Sequence, residues 1–194
     1  MMNDFLIYFK LGLNHVLDLN GYDHVLFLIV LTVAYTFKDW KRVFWLVTVF
    51  TIGHTLSLIL STYGVISVKA NLAELLVYIT ILATALFNIF TAGKNSNKTK
   101  LVLLLIAALF FGLIHGLAFS NYFKTITSGV SGKLVPMLEF ALGVEVAQII
   151  VVLVVLVLSF VFQTIFRFSK RDWVMVVSAI VLGIAIHIID VNFI

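Results

Sequence analysis

The chain has 194 residues, of which 62% are hydrophobic and only 11% charged, and its formal net charge is +4. A soluble domain of this size could not bury so much apolar surface, so the composition excludes a soluble globular protein and predicts an integral membrane protein. The apolar runs are long and continuous, without the alternation of outer-membrane strands. We therefore predict an all-α, polytopic transmembrane bundle in which residues 1–194 form a single integral membrane domain.

The first predicted element covers residues 3–18, a helix too short to cross a membrane. Its mixture of apolar residues with Lys10 and Asp18 predicts an interfacial helix, or one packed into the mouth of the bundle. Asn3 and Asp4 are candidate caps at its start, and Asn20-Gly21 is the predicted stop. Six spanning helices follow, because each further apolar run approaches or exceeds the roughly 20 residues that a crossing requires. They cover residues 22–37, 42–62, 72–92, 100–119, 136–165 and 171–189.

Lys and Arg residues are distributed unevenly between the predicted loops. Most of the 13 fall in the first, third and fifth loops, at Lys38, Lys41, Arg42, Lys94, Lys98, Lys100, Arg167, Lys170 and Arg171. Since cytoplasmic loops carry the excess of positive charge, these three loops are predicted to lie inside and both termini outside. The positive charge therefore reflects topology, and we expect membrane lipids, but neither nucleic acid nor nucleotide, as partners.

The imidazole and carboxylate groups of the spans collect at the predicted outer ends. A charged group near the centre of a spanning helix costs about 2.5 to 3.5 kcal/mol, so such groups are expected to face one another, water or a cation. Imidazole nitrogen suits nickel, cobalt, zinc and copper ions. The chain has five histidines and no cysteine. The predicted metal ligands are Asp23, His24, His54, His115 and Glu145, and further candidates are His15, His187, Glu74, Gln148 and Ser57.

Some of these residues also have structural explanations. Asp23 is typical of a helix cap, and Glu74 stands three residues after Asn71, the spacing of a capping box. His187 could hydrogen-bond between helices. Three segments favour a functional site more strongly, because a polar residue lies beside small residues or a second polar residue within an apolar span. They are FTIGHTLSL (50–58), FGLIHGLAF (111–119) and LGVEVAQII (142–150).

Four segments, in chain order, resemble the HupE/UreJ family of bacterial membrane proteins. They are HVLDLNGYDHVLFL (15–28), FTIGHTLSL, FGLIHGLAF and LGVEVAQ (142–148), and together they are more specific than any one of them. The resemblance covers nearly the whole chain. This family is associated with hydrogenase and urease maturation and is regarded as nickel or cobalt permeases. The resemblance therefore implies metal handling in a bacterial cytoplasmic (inner) membrane, at a site that faces the periplasm.

The resemblance also implies roles for individual residues. His15, Asp23 and His24 correspond to the His-and-Asp signature of the family's first span, and His54 corresponds to the histidine of the second. Related nickel/cobalt permeases carry a tighter His-x4-Asp-His spacing on one helix, whereas Asn20-Gly21 separates His15 from Asp23 here. Nickel or cobalt is the implied ion, and zinc is also compatible with these ligand types.

The residues are compatible with an uptake permease and with an intramembrane metalloenzyme, and a third class is a metal or haem sensor or an assembly partner without turnover. An uptake permease would need a polar track that continues past Asn88 and Gln163 to the cytoplasm. An intramembrane metal-dependent hydrolase or transferase would act on a lipid or lipoprotein at the outer leaflet, with Glu145 or Asp23 as general base. Such an enzyme would need a pocket that is closed on the inner side and opens laterally to lipid.

Overall fold

A computed structural model of the chain describes residues 2–18, 21–93, 101–130 and 132–193. Within these ranges the chain forms seven α-helices, one short 3₁₀-helix and no strand, as an all-α bundle requires. The helices are α1 (Met2–Leu17), α2 (Asp23–Thr32), α3 (Trp40–Thr62), α4 (Ala70–Thr91), α5 (Leu101–Ile126), α6 (Leu134–Thr164) and α7 (Lys170–Phe193). The side chains of Asn3 and Asp4, and Asn20, Lys94, Lys98 and Lys100 as a whole, lie outside the described residues.

Five helices, α3 to α7, are long and apolar enough to cross a membrane. The predicted continuous span over residues 22–37 is not present, so the count of six spanning helices is not confirmed. Helix α2 has only 10 residues, about 15 Å of helix. The chain then turns, and Thr36 and Asp39 form a capping box that begins the 3₁₀-helix Phe37–Asp39. Hydropathy does not reveal where α2 ends, because the residues of the turn that follows are themselves largely apolar.

Helix α1 packs into the bundle against α6 and does not lie alone on a surface. The contact depends on two glycines, because a Cβ on Gly12 would overlap the carbonyl oxygen of Phe140, and one on Gly143 would overlap that of Phe9. Because glycine has no side chain, the backbones of the two helices can come into contact at these positions. Gly12 and Val16 are buried in this contact, whereas Phe5, Leu6 and Ile7 are exposed.

Helices α3 and α5 make the same kind of contact. A Cβ on Gly53 would overlap the carbonyl oxygen of Leu109, and Cβ atoms on Gly112 and Gly116 would overlap those of Phe50 and His54. This close approach brings the polar residues of the two helices side by side. The arrangement continues along the helices to Ser61, whose hydroxyl donates to the Ser120 hydroxyl over 2.9 Å.

The buried apolar side chains form two main clusters. One includes Phe123 and Phe140, and the other includes Phe27 and Phe50. His54 stacks on Phe140 of the first cluster with ring centroids 6.1 Å apart. His54 is also 6.4 Å from Phe50 of the second cluster. The histidines therefore lie where the two clusters meet.

Candidate metal centre

Four histidines from four helices meet in the interior of the bundle. His15 comes from α1, His24 from α2, His54 from α3 and His115 from α5. The ring centroids of His15 and His24 are 4.4 Å apart, and each lies 5.8 Å from that of His54. His115 lies 5.2 Å from His24. One ring nitrogen from each of His15, His24 and His54 falls within 4.8 Å of the other two, which is a group that could hold a metal ion.

Two of the imidazoles are oriented by a partner at Nδ1. His24 Nδ1 lies 3.2 Å from a carboxylate oxygen of Asp23, and His115 Nδ1 lies 2.8 Å from the carbonyl oxygen of Phe111. Both partners are acceptors, so each Nδ1 carries the proton. The lone pair of each ring is then on Nε2, as in histidines that bind metals while donating Nδ1–H to a carboxylate or carbonyl.

Five of the other six ring nitrogens are buried without hydrogen-bond partners among the described residues. They are Nε2 of His15, His24 and His115, and both nitrogens of His54. His54 and His115 are completely buried, and His24 is 3% exposed. A buried imidazole nitrogen that is left unpaired destabilises the folded chain by about 1–3 kcal/mol. A cation could accept the lone pairs of such nitrogens, and His15, His24 and His54 are the three whose ligand atoms lie close enough together for one ion.

Aromatic rings enclose the histidines. His15 packs on Phe119 with centroids 3.9 Å apart, and Phe119 stacks on Phe140 at 4.9 Å with an interplanar angle of 8°. Phe27 and Phe50 lie 4.8 Å and 5.0 Å from the ring of His115. These four phenylalanines help to bury His24, His54 and His115, and a low local dielectric strengthens a bond between nitrogen and a cation.

A cavity of about 740 Å³ lies on one side of this group. It is lined by residues of α1 and α5 together with the adjoining Asp18, and His15 forms part of its wall. Asn14, Asp18 and Tyr122 contribute polar atoms, and Phe119 stands beside His15 at the inner limit. Solvent in this cavity therefore reaches His15 before any other member of the histidine group.

Glu145 lies in a second polar group that neighbours the histidines. Its carboxylate accepts a hydrogen bond from the hydroxyl of Thr48 over 2.6 Å and another from that of Thr51. The Thr51 hydroxyl also lies 3.1 Å from the side-chain oxygen of Gln148, which is completely buried. Thr51 precedes His54 by three residues on α3, so this group lies one helical turn from the histidines, towards the end of α3 that carries Lys41.

A family model described as HupE / UreJ protein matches residues 1–192 of the chain. The chain belongs to the HupE/UreJ family. Neither a curated protein nor a solved structure matches it. The match covers every helix, so the family assignment and the apolar helices together make this a HupE/UreJ protein with several membrane crossings. The family is associated with nickel and cobalt handling, which agrees with an imidazole group that could hold such an ion.

The bundle of this HupE/UreJ protein gathers some of the predicted site residues and separates others. His15, Asp23, His24, His54 and His115 lie together, whereas Glu145 and Gln148 form the neighbouring group. Ser57 is buried and donates to the carbonyl oxygen of His54. His187 and Glu74 are exposed on α7 and α4, and no described contact joins either one to the histidines.

A glycine three residues before a histidine is the sequence pattern that agrees with the observed position of His15. His15 follows Gly12 by three residues, and His115 follows Gly112 by three residues, within the similar segments GLNHVL and GLIHGL. In both segments the glycine touches a neighbouring backbone, and the histidine one turn later faces the group. This repeated spacing could have identified His15 as a predicted metal ligand, together with His54 and His115. The chain has 18 phenylalanines, and no sequence pattern distinguishes the four that surround the histidines.

Proposed function

We propose that this HupE/UreJ protein is a permease for a divalent transition-metal ion, with nickel or cobalt as cargo, in a bacterial cytoplasmic membrane. The observation that supports this most directly is the set of buried imidazole nitrogens, contributed by four helices, that lack hydrogen-bond partners. Nickel, cobalt and zinc all accept imidazole ligands, so the donor set is compatible with zinc as well.

Individual residues have distinct roles in this proposal. His15, His24 and His54 are the ligands, and His115 is a fourth imidazole close enough to join them after a small movement of the rings. Asp23 orients His24 and supplies the negative charge that a divalent ion requires. The cavity beside His15 is the route from the periplasm.

Helices α1 and α2 would together make the first crossing, interrupted at the histidines. Tyr8, two turns before His15, contacts Phe123, and His15 contacts Phe119, one turn earlier on α5. Helix α1 therefore descends from the outer end of α5 towards the histidines, and α2 continues from there. Their lengths of 16 and 10 residues correspond to about 24 Å and about 15 Å of helix. With α3 to α7 this makes six crossings and leaves both termini outside.

A crossing that is broken at mid-membrane is a common way for transporters to bind ions. The inward route would pass from His54 to the group of Glu145, Thr51 and Thr48, one turn closer to the cytoplasm. No described contact joins Asn88 or Gln163 to that group, since Asn88 donates to the carbonyl oxygen of Val30 and Gln163 to the hydroxyl of Ser159. A membrane potential would drive the ion inward by about 2.3 kcal/mol per charge per 100 mV.

The direct test is metal flux into proteoliposomes that contain the purified full-length chain. We expect Ni²⁺ or Co²⁺ uptake that increases with an inside-negative potential and is lost in His54→Ala. His187→Ala is the matched control, since His187 is an exposed histidine on α7. Absence of flux in wild-type proteoliposomes at every potential, for nickel, cobalt and zinc, would rule the permease out.

A metal-dependent hydrolase or transferase is the second candidate. Three imidazoles with an open coordination position form the ligand set of several catalytic zinc sites, and the carboxylate of Glu145 lies one turn away as a general base. An enzyme would retain one tightly bound metal per chain and give no flux, and it would release a product from a lipid or lipoprotein. The flux assay and a metal analysis of the same preparation therefore separate the two functions.

A further inference from the structure

A second cavity lies at the opposite end of the bundle from the one beside His15. It has a volume of about 380 Å³ and is enclosed by the end of α2, the start of α3, the end of α4 and the start of α7. Arg42, Lys170 and Arg171 contribute three positive charges to its wall, and Asp39 contributes the one carboxylate among its lining residues. The cavity is therefore a basic site at the end of the bundle where the Lys and Arg residues of the chain concentrate.

The four ionic residues carry a formal net charge of +2, since three of them are positive and Asp39 is negative. The carboxylate of Asp39 accepts hydrogen bonds from the amide and hydroxyl of Thr36, and so serves the capping box at the start of the 3₁₀-helix. The guanidinium of Arg42 lies 5.5 Å from the centre of the Tyr35 ring. The start of α7 adds further positive potential, because the amide groups of the first turn of a helix carry a partial positive charge. The cavity thus favours an anion.

The same charges argue against the cavity as a passage for metal. A divalent cation in contact with three positive side chains would be repelled, and the amide of Asn88 is already bonded to the carbonyl oxygen of Val30. Binding of an anion in this cavity therefore does not depend on the proposed transport of metal.

The walls of the cavity differ in polarity. Phe87, Leu104 and Val174 form an apolar part, whereas Thr84 and Thr91 add hydroxyl groups near the cations. A ligand that fits both parts has an anionic head and an apolar tail. Lys170 and Arg171 are exposed, so they can contact a head group at the level of the membrane surface.

We propose that this cavity binds the phosphate group of an anionic membrane phospholipid, with the first part of an acyl chain against the apolar wall. Arg171 offers the planar donor pair that phosphate oxygens accept, Lys170 adds a second exposed cation, and Arg42 adds positive charge to the wall. Free inorganic phosphate shares the anionic chemistry but would leave the apolar wall uncovered.

The test measures lipid binding to the purified full-length chain in a neutral detergent. Phosphatidylglycerol, phosphatidylcholine and inorganic phosphate are titrated separately, with binding read by native mass spectrometry and by thermal stability. We expect phosphatidylglycerol to bind in preference to phosphatidylcholine. The triple variant Arg42→Gln, Lys170→Gln, Arg171→Gln should lose affinity for phosphatidylglycerol on the order of a hundredfold, given the usual contribution of each basic residue.

The matched control removes three positive charges from the same end of the protein but outside the cavity, through Lys38→Gln, Lys41→Gln and Arg167→Gln. It should retain wild-type affinity within about twofold. Ala92→Phe is a second variant, which fills the cavity without changing any charge and should also lose the lipid. If the triple variant does not fold, this second variant decides.

Three results would overturn the proposal. They are equal binding of phosphatidylglycerol and phosphatidylcholine by wild type, an equal loss in the control and the triple variant, and wild-type affinity in Ala92→Phe. If inorganic phosphate binds as tightly as phosphatidylglycerol and displaces it, the lipid assignment is overturned and the anion site is retained with free phosphate as its ligand.

Discussion

The two ends of α2 lie in opposite chemical surroundings. At its start, His24 meets three other imidazoles, each of which has at least one buried nitrogen without a hydrogen-bond partner among the described residues. At its end, Val30 and Leu31 line a cavity whose wall carries Arg42, Lys170 and Arg171. Lone pairs without protons attract a cation, whereas guanidinium and ammonium groups attract an anion. A helix of 10 residues therefore separates a site for positive charge from a site for negative charge.

This difference restricts the path that a metal ion could take from the histidines. The basic cavity is unfavourable to it, but the Glu145 group lies beside α3 and α6 and offers carboxylate, hydroxyl and amide oxygens. The hydrogen bonds also differ between the two polar groups of the interior. Both oxygens of Glu145 already accept hydrogen bonds, whereas His54 has no partner at either nitrogen. In the proposed permease, the unsatisfied imidazoles are the resting site of the ion, and the Glu145 group is the point of transfer.

The largest effect is expected from His54→Leu. Metal affinity should fall by more than about a hundredfold, because even residues that only orient metal ligands contribute roughly ten- to a hundredfold. Leucine is apolar and of similar size, so the metal-free variant should be at least as stable to heat as wild type once two unpaired buried nitrogens are removed. Isothermal titration with Ni²⁺ and thermal unfolding in a chelator measure the two quantities. A marked loss of metal-free stability would mean that His54 is a structural core residue instead.

Asp23→Asn should have the next largest effect. The amide can still accept a hydrogen bond from His24 Nδ1, but it removes the negative charge beside the metal. We expect metal affinity to fall about ten- to a hundredfold. Asp190→Asn, an exposed carboxylate near the end of α7, is the control and should bind metal like wild type. Equal affinity of Asp23→Asn and wild type would remove Asp23 from the site.

Glu145→Gln distinguishes a role in binding the metal ion from a role in its transfer across the membrane. The Thr48 hydroxyl can donate to the new amide oxygen, and the amide nitrogen can donate to the Thr51 hydroxyl, which can itself donate to the carbonyl oxygen of Val47. The fold should therefore be preserved while the charge is lost. We expect metal affinity within about twofold of wild type and flux reduced on the order of tenfold, since a divalent ion would cross that depth without a counter-charge. The same variant is measured by titration and in proteoliposomes. A loss of affinity equal to that of His54→Leu would instead place Glu145 among the ligands.

Gly12→Ala tests whether the packing of α1 holds His15 in the group. Its Cβ would overlap the backbone of α6, so the free energy of unfolding should fall by about 1–3 kcal/mol and metal should bind several-fold more weakly. Gly183→Ala is the matched control, because a Cβ there meets no atom within 4 Å. Thermal unfolding and nickel titration give both values. Identical behaviour of the two alanine variants would contradict the close contact of α1 with α6.

Much of the fold could be predicted from the order of residues. The five long helices appear as apolar runs because hydrocarbon requires about 20 apolar residues for each crossing. The break between α2 and α3 was not predictable in the same way. Residues 33–36 are Val, Ala, Tyr and Thr, which hydropathy does not distinguish from a helix, and the turn depends on the capping box that Thr36 and Asp39 form.

The candidate site could likewise be predicted only in part from the sequence. Histidines inside apolar segments could be recognised from the chain alone, because an ionisable side chain in such a segment needs a partner. The separation of Glu145 from the imidazoles could not, since it depends on whether the helix presents that carboxylate to Thr48 and Thr51 or to His54. Sequence spacing places residues on a helix face but does not say which neighbour that face meets.

The sequence by itself determined that this is a helical membrane protein of the HupE/UreJ family, and that imidazole and acid groups are concentrated within its apolar segments. Tertiary structure alone decided which of those groups meet. Glycines that let α1 contact α6 and α3 contact α5 bring His15, His24, His54 and His115 to one point, because backbones can approach only where side chains are absent. The same packing encloses a basic cavity at the far end of α2, from residues that are distant along the chain.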